Sequence, residues 1–271
     1  MQTDPELAAL LSLLDDEDDS TLLPVMSALL ERHTDLMPYL AELQESASAQ
    51  VRKKVHQLQS IIIQRDKRFS LLQRIDDPDE DFFGILADMH LLWYDSSPVT
   101  ELEDVICEFI NDFNGRNISS LRQAAEYMFQ NNFKVTPSSS IDPDSCCIGS
   151  VIYWKKGSSA ILCGILKNLL PADEAFNIIK IKNSFALSDG NSVLIPEEWW
   201  DIRPAEEFTN CEVWENRQIL RYLLMLLFDN AVNSNSYRYI YTIGQALSGK
   251  RDSSFLKKLP YPFSAADGEQ D

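Results

Sequence analysis

The chain has 271 residues, with 42 acidic against 24 basic side chains and a formal net charge of −18. A hydrophobic fraction of 45% suffices for a globular core and excludes wholesale disorder, while so negative a field repels nucleic-acid phosphates and anionic membranes, so neither is expected as a partner. The opening MQTDPELAAL has no basic region leading into an apolar one, and the most apolar run, Ile219–Phe228, is broken by Arg221 and falls far short of the roughly 18–20 residues that span a bilayer, so the expectation is a soluble, cytoplasmic protein.

The N-terminal segment reads as short amphipathic helices. Asp4-Pro5-Glu6 has the chemistry of a helix start, and Leu7, Leu10, Leu11 and Leu14 follow at the spacing of one helical face. A second helix carries Leu22, Val25, Met26, Leu29 and Leu30, with Pro24 placed near its first turn. A third carries Leu36, Leu40 and Leu43, and a fourth Val51, Val55, Leu58 and Ile62. No strict period emerges, but each stripe is too narrow to be buried alone, which is the habit of HEAT-like helical arrays. Residues 1–75 are therefore expected to form a helical subdomain, closed by a hinge at the acidic, proline-containing run Asp76–Asp81.

A helical bridge is expected over 76–117, with helices near 80–94 and 100–114. A helix near 119–131 opens the next region on Ser120-x-x-Gln123, a capping-box pattern. Residues 145–170 read as a short helix, a turn at Lys155-Lys156-Gly157 and an apolar helix from Ser158 or Ser159. Strands follow at 177–181, 184–188 and 192–195, with a tight turn at Asp189-Gly190-Asn191. Helices near 214–232 and 237–248 close the region 118–250, and 251–271 read as a tail. The fold class is accordingly α+β and mostly helical, with a small antiparallel sheet and a C-terminal helix pair.

From residue 118 to 248 the order of segments resembles the bacterial transglutaminase-like proteins that carry a helical N-terminal part. In that family a D-P-x-N-S-x-L segment leads to a basic pair and glycine, then a helix, G-H-F, I-D-P-F and two helices. The matching positions here are Asp142-Pro143, Ser145, Val151-Ile152, Lys155-Lys156-Gly157, Leu162, Phe185, Ile195 and the stretch from Ile219 to Leu247. The resemblance implies a transglutaminase-like (papain-like) core in which a helix-borne thiol is activated by histidine and a carboxylate. This chain departs from it at each catalytic position. Ser159 (or Ser158) stands where the cysteine belongs, Ser184 replaces the histidine, and Pro196 takes the place of the acid, with Glu197 and Glu198 following. The three histidines are His33, His56 and His90, so 91–271 contains none.

The reading that results is a non-catalytic protein-binding or scaffold protein on a degenerate transglutaminase-like fold, with no cofactor and no metal site. One alternative is a residual thiol amidase using Cys146 or Cys147, although no histidine is near them in sequence. Another is an acidic antagonist that sequesters a basic partner. Trp199, Trp200 and Trp214 are candidates for lining an old active-site groove. Asp15, Asp16, Asp18 and Asp19 are candidates for an electrostatic patch, because residues 1–50 hold eleven acids and one base, a formal −10. The odd count of 5 cysteines, with Cys146 and Cys147 adjacent, fits free thiols better than a disulfide framework.

Overall fold

A computed structural model describes residues 5–16, 18–46, 48–95, 97–172 and 176–249, without the side chains of 19, 20, 23, 27, 31 and 33–35. The expected tail and the capping residue Asp4 lie outside the described residues. The chain divides into two compact units, Met1–Lys67 and Arg68–Asp271.

In the first unit, α1 (Pro5–Ser12) runs into a 3-10 turn at Leu13–Asp15, followed by α2 (Asp19–Glu31), α3 (His33–Leu43) and α4 (Ala49–Asp76). The stripes seen in sequence form the core. Leu7, Leu14, Leu29, Leu36, Leu40, Val55 and Leu58 are buried together, with Leu22, Val25, Val51 and Ile62 around them. Pro24 sits in the second turn of α2, beyond the first turn where proline costs nothing.

The break between units falls inside α4, between Lys67 and Arg68, and not at the acidic run expected to be a hinge. Residues 63–70 of α4 bury no side chain, whereas Leu71 and Ile75 enter the core of the second unit. The acidic run does end the helix, but it is tied down. Arg74 donates to Glu80 at 3.1 Å and also reaches Asp88, and Asp81 caps α5 (Phe82–Trp93) by accepting from the amides of Phe83 and Gly84.

The second unit continues with α6 (Val99–Gly115) and α7 (Leu121–Gln130). The expected bridge is thus no bridge, because Phe82, Ile85, Leu86, Met89, Leu102, Ile106 and Phe113 belong to the same buried cluster as the residues after 118. At the start of α7, Ser120 accepts from the Gln123 amide, but the Gln123 side chain returns to the Ser119 amide, so the capping box is offset by one residue.

Next come β1 (Lys134–Val135), a 3-10 turn at Pro143–Ser145, α8 (Ile148–Trp154), β2 (Lys156–Gly157) and α9 (Ser159–Leu169). Then follow β3 (Asn177–Ile181), β4 (Ser184–Ser188), β5 (Ser192–Ile195), β6 (Asp201–Pro204), β7 (Glu212–Trp214), α10 (Asn216–Asn233) and α11 (Tyr237–Ser248). β1 and β2 form a two-residue parallel ladder, and the others an antiparallel sheet in the order β6-β5-β4-β3-β7.

Period-2 alternation assigns the two faces of this sheet. Ile178, Phe185, Leu187 and Leu194 point into the main core with α9, and Ile179, Ala186, Val193 and Ile195 form a second layer covered by Phe208, Ala205 and Cys211. α9 is buried nearly all round, packed on β3 and β4 on one side and α10 on another. That explains its uniformly apolar sequence. Among the described residues no helix is long and apolar enough to cross a membrane.

Candidate functional site

The start of α9 is fixed by its own serines. Ser158 is the N-cap and its hydroxyl accepts from the Ile161 amide at 3.4 Å. Ser159, one residue on, is buried, and its Oγ accepts a bond of 3.1 Å from the amide of Phe185 on β4. The neighbour of that amide, Ser184, donates from its Oγ to Glu197 Oε2 at 2.5 Å. Pro196 is buried as the first residue of the 3-10 turn that follows β5, and Glu197 is the second. The helix start, the adjacent strand and the end of the next strand therefore converge. Two separate hydrogen bonds result, Phe185 N–H to Ser159 and Ser184 to Glu197, made from consecutive residues of β4.

The chemistry available there is limited by residue type. Neither serine is paired with an imidazole: Ser159 Oγ receives an amide proton, and Ser184 Oγ donates to the Glu197 carboxylate. Lys155, in sequence reach of the α9 start, is committed elsewhere, its ammonium lying 4.8 Å from the Phe133 ring centre and 5.8 Å from that of Phe109. Cys163, further along α9, is buried, and burial followed by the Glu197 charge raises its thiol pKa.

Cys146 and Cys147 lie on the other flank of α9's N-terminus, where the 3-10 turn at Pro143–Ser145 meets α8. Both are buried; burial pushes the Cys146 thiol up to about 12 and the Cys147 thiol well above its ordinary value. A histidine does pack against α8, the helix that follows them, at Gly149. His90 of α5 lies against α8 so closely that a Cβ on Gly149 would stand 2.8 Å from its Cε1. Its ring lies tilted by 32° against Tyr94 with centroids 4.9 Å apart, and the Tyr94 hydroxyl donates to Asp144 at 2.5 Å. His90 is 5% exposed, its Nδ1 has no partner, and burial, opposed only by Asp144, lowers its pKa to about 4. A neutral, buried imidazole packed on α8, and buried thiols held protonated, are packing groups at neutral pH.

No protein-family model matches this sequence, and no curated protein or solved structure matches it.

The three candidate tryptophans do not line one groove. Trp200 is buried and donates from Nε1 to the Phe133 carbonyl at 2.8 Å, whereas Trp199 beside it is 72% exposed. Trp214 is on β7, at the opposite edge of the sheet from the β5–β6 connection that carries the pair. With strands spaced about 4.8 Å apart, four strand intervals separate those edges by roughly 19 Å. Trp214 packs instead with Phe185 at 5.0 Å and Tyr222 at 5.8 Å, under the Lys180 ammonium at 4.7 Å.

The acidic candidates are partly used by their own loop. Asp15 accepts from the Ser48 hydroxyl at 2.7 Å, and Asp16 accepts from the Asp18 amide at 2.9 Å. The Asp19 side chain falls outside the described residues. Among the described residues no cluster of three or more His, Cys, Asp or Glu could hold a metal ion.

Sequence reasoning missed two features. One is His90, which periodicity marks only as a position on a helix. The other is the backbone at Trp199 and Trp200, which have φ of 59° and 66°, two bulky residues in succession in the left-handed region. A Trp-Trp pair after proline and two glutamates carries no sequence signal for that conformation.

Proposed function

We propose that this chain is a protein-binding or scaffold protein built on a transglutaminase-like core that has lost its catalytic groups. The observation that carries the reading is the pair of bonds from Phe185 N–H to Ser159 and from Ser184 to Glu197. A nucleophile at a helix start, a base on the neighbouring strand and an acid after the next strand is the arrangement a papain-like triad requires. Serine, serine and glutamate stand in those positions without the thiol and imidazole, and of the triad's bonds only the one from the second position to the acid is kept, because Ser159 turns to the Phe185 amide while Ser184 shares the Ala186 face of β4. The Ser159–Phe185 bond ties α9 to β4 and the Ser184–Glu197 bond ties β4 to the 3-10 turn after β5, which are structural uses for these residues.

The partner is a protein, and the acidic first 50 residues attract a basic surface on it at long range. The residual thiol-enzyme reading needs both thiols exposed and ionised, against their burial.

The test has two arms. The full chain is incubated with glutamine-donor and peptide-amide substrates, and no turnover is expected; turnover abolished by Cys146→Ala or Cys147→Ala overturns the reading. Tagged chain is also recovered from its native cells, and a co-purifying protein that re-forms a stoichiometric complex with pure chain is expected. Failure of any protein to re-associate counts equally against it.

A further inference from the structure

The β1–β2 ladder carries an unbalanced charge. Its register places Lys134 opposite Lys156, and Val135 opposite Gly157. Paired residues project from the same face, so the buried Gly157 and half-buried Val135 face inward and both lysines face solvent. Like charges directly opposite weaken a ladder, and one of two residues per strand has little stability of its own. Among the described residues neither lysine has an ion-pair partner.

Aromatic side chains flank the ladder at both ends. On the β2 side, Tyr153 and Trp154 close α8 as an edge-to-face pair 4.7 Å apart, 73% and 66% exposed. On the β1 side, the 3-10 turn at Pro196–Glu198 packs on β1, and Trp200 is bonded to the carbonyl of Phe133, the residue before Lys134. Trp199 is thereby fixed beside the ladder in a disfavoured backbone conformation while its indole stays in solvent. Strain that presents a large apolar group to water serves no packing purpose, and such strain collects at sites of recognition.

The acids bordering Trp199 are already engaged, Glu197 by Ser184 and Glu198 by Arg203. Lys134 and Lys156 are thus the uncompensated charges of the strip, on a chain whose net charge is −18. The geometry points to a docking surface for an extended acidic segment of a partner protein, its carboxylates set between Lys134 and Lys156 and its apolar side chains against Trp154 and Trp199. This deepens the binding reading above and rests on it. Single-stranded nucleic acid also combines anions with planar groups, but a long polyanion meets repulsion from the whole chain that a short peptide largely escapes.

The test pans the full chain against displayed random linear peptides and measures the selected ones by fluorescence anisotropy. Peptides rich in Asp and Glu are expected, with affinity about tenfold weaker in the Lys134→Glu/Lys156→Glu double variant. Trp199→Gly is expected to bind more weakly yet melt about 2 °C higher, since glycine accepts the left-handed conformation without penalty. That pairing of lost binding with gained stability separates recognition from damaged folding. Failure to select peptides, selection without acidic enrichment, affinity unchanged in the double variant, or preference for an oligothymidylate overturns the proposal. Peptides bound at full strength by the double variant would leave the binding reading standing, whereas amide turnover would remove that reading whatever the strip binds.

Discussion

His90 offers a quantitative check on the packing of α5 against α8. Its imidazole is 5% exposed, with Nδ1 unpartnered and burial lowering its pKa from 6.5 to about 4. Because the folded-state value is depressed, the unfolded chain takes up the proton first. The stability held above pH 6.5 is therefore lost as pH falls towards 4. Over the full interval the loss approaches about 3 kcal/mol at 1.36 kcal/mol per unit, and between pH 7 and pH 5 it is about 2 kcal/mol. Carboxylates titrate in the same range, so the comparison must be with His90→Leu, which keeps an apolar side chain of similar bulk and the same carboxylates. Urea unfolding followed by tryptophan fluorescence is a suitable assay, since all 5 tryptophans lie after residue 67 and report the second unit. The stability difference, variant minus wild type, should grow by about 2 kcal/mol from pH 7 to pH 5. A difference constant to within about 0.5 kcal/mol would mean that His90 is hydrated or partnered in solution, and the packing described for α5 and α8 would be wrong.

Three other outcomes follow from particular contacts. Gly164→Ala in α9 should destabilise by about 1–3 kcal/mol despite alanine's better helix propensity, because the new Cβ would lie 2.7 Å from Cζ of the buried Phe82 ring; a rise in melting temperature would contradict that close approach. Ser159→Ala should cost about 1–3 kcal/mol by leaving the Phe185 amide without its acceptor, whereas Ser184→Ala, whose hydroxyl is part-exposed, should cost less than half as much in the same chemical denaturation. Once a basic partner is in hand, Asp15, Asp16, Asp18 and Asp19 changed together to Asn should slow association several-fold at low salt and leave dissociation nearly unchanged. The attraction is screened as the Debye length falls from about 10 Å to about 3 Å, and stopped-flow rates insensitive to both salt and substitution would remove the steering role.

Local signals carried most of the secondary structure. The two closing helices and the three strands between 177 and 195 were legible because apolar period, turn residues and caps agree there, whereas the expected turn at Lys155–Gly157 is a single left-handed residue, Lys155, followed at once by β2. β6 and β7 were not, since Asp201–Pro204 contains a proline and Glu212–Trp214 is very short, and edge strands need little apolar alternation. The unit boundary was misread for a related reason. A proline among acids signals a break in the helix, and the helix does end there, but whether the loop is a hinge depends on what its neighbours touch. Arg74 reaching Glu80 and Asp88 is a tertiary fact that charge patterning does not contain.

The site shows the same division. Ser159 and Ser184 were singled out only through the family resemblance, and the structure gives them different partners, the Phe185 amide and Glu197. That Glu197 stands next to Pro196 and takes the Ser184 hydroxyl required the end of β5 to turn into a 3-10 helix, which the Ile195-Pro196 step favours through proline's fixed φ. Trp199 and Trp200 mark where sequence reasoning stops. Extended backbone would send them to opposite faces, and one is indeed buried and one exposed, but the separation comes from two successive left-handed residues. Burial and the indole bond to Phe133 offset that conformation at Trp200 alone. At Trp199 the left-handed conformation caps the 3-10 turn at Pro196–Glu198 and leaves the indole in solvent beside the Lys134–Lys156 ladder, the pairing of exposed ring and unbalanced charge on which the proposed docking strip rests.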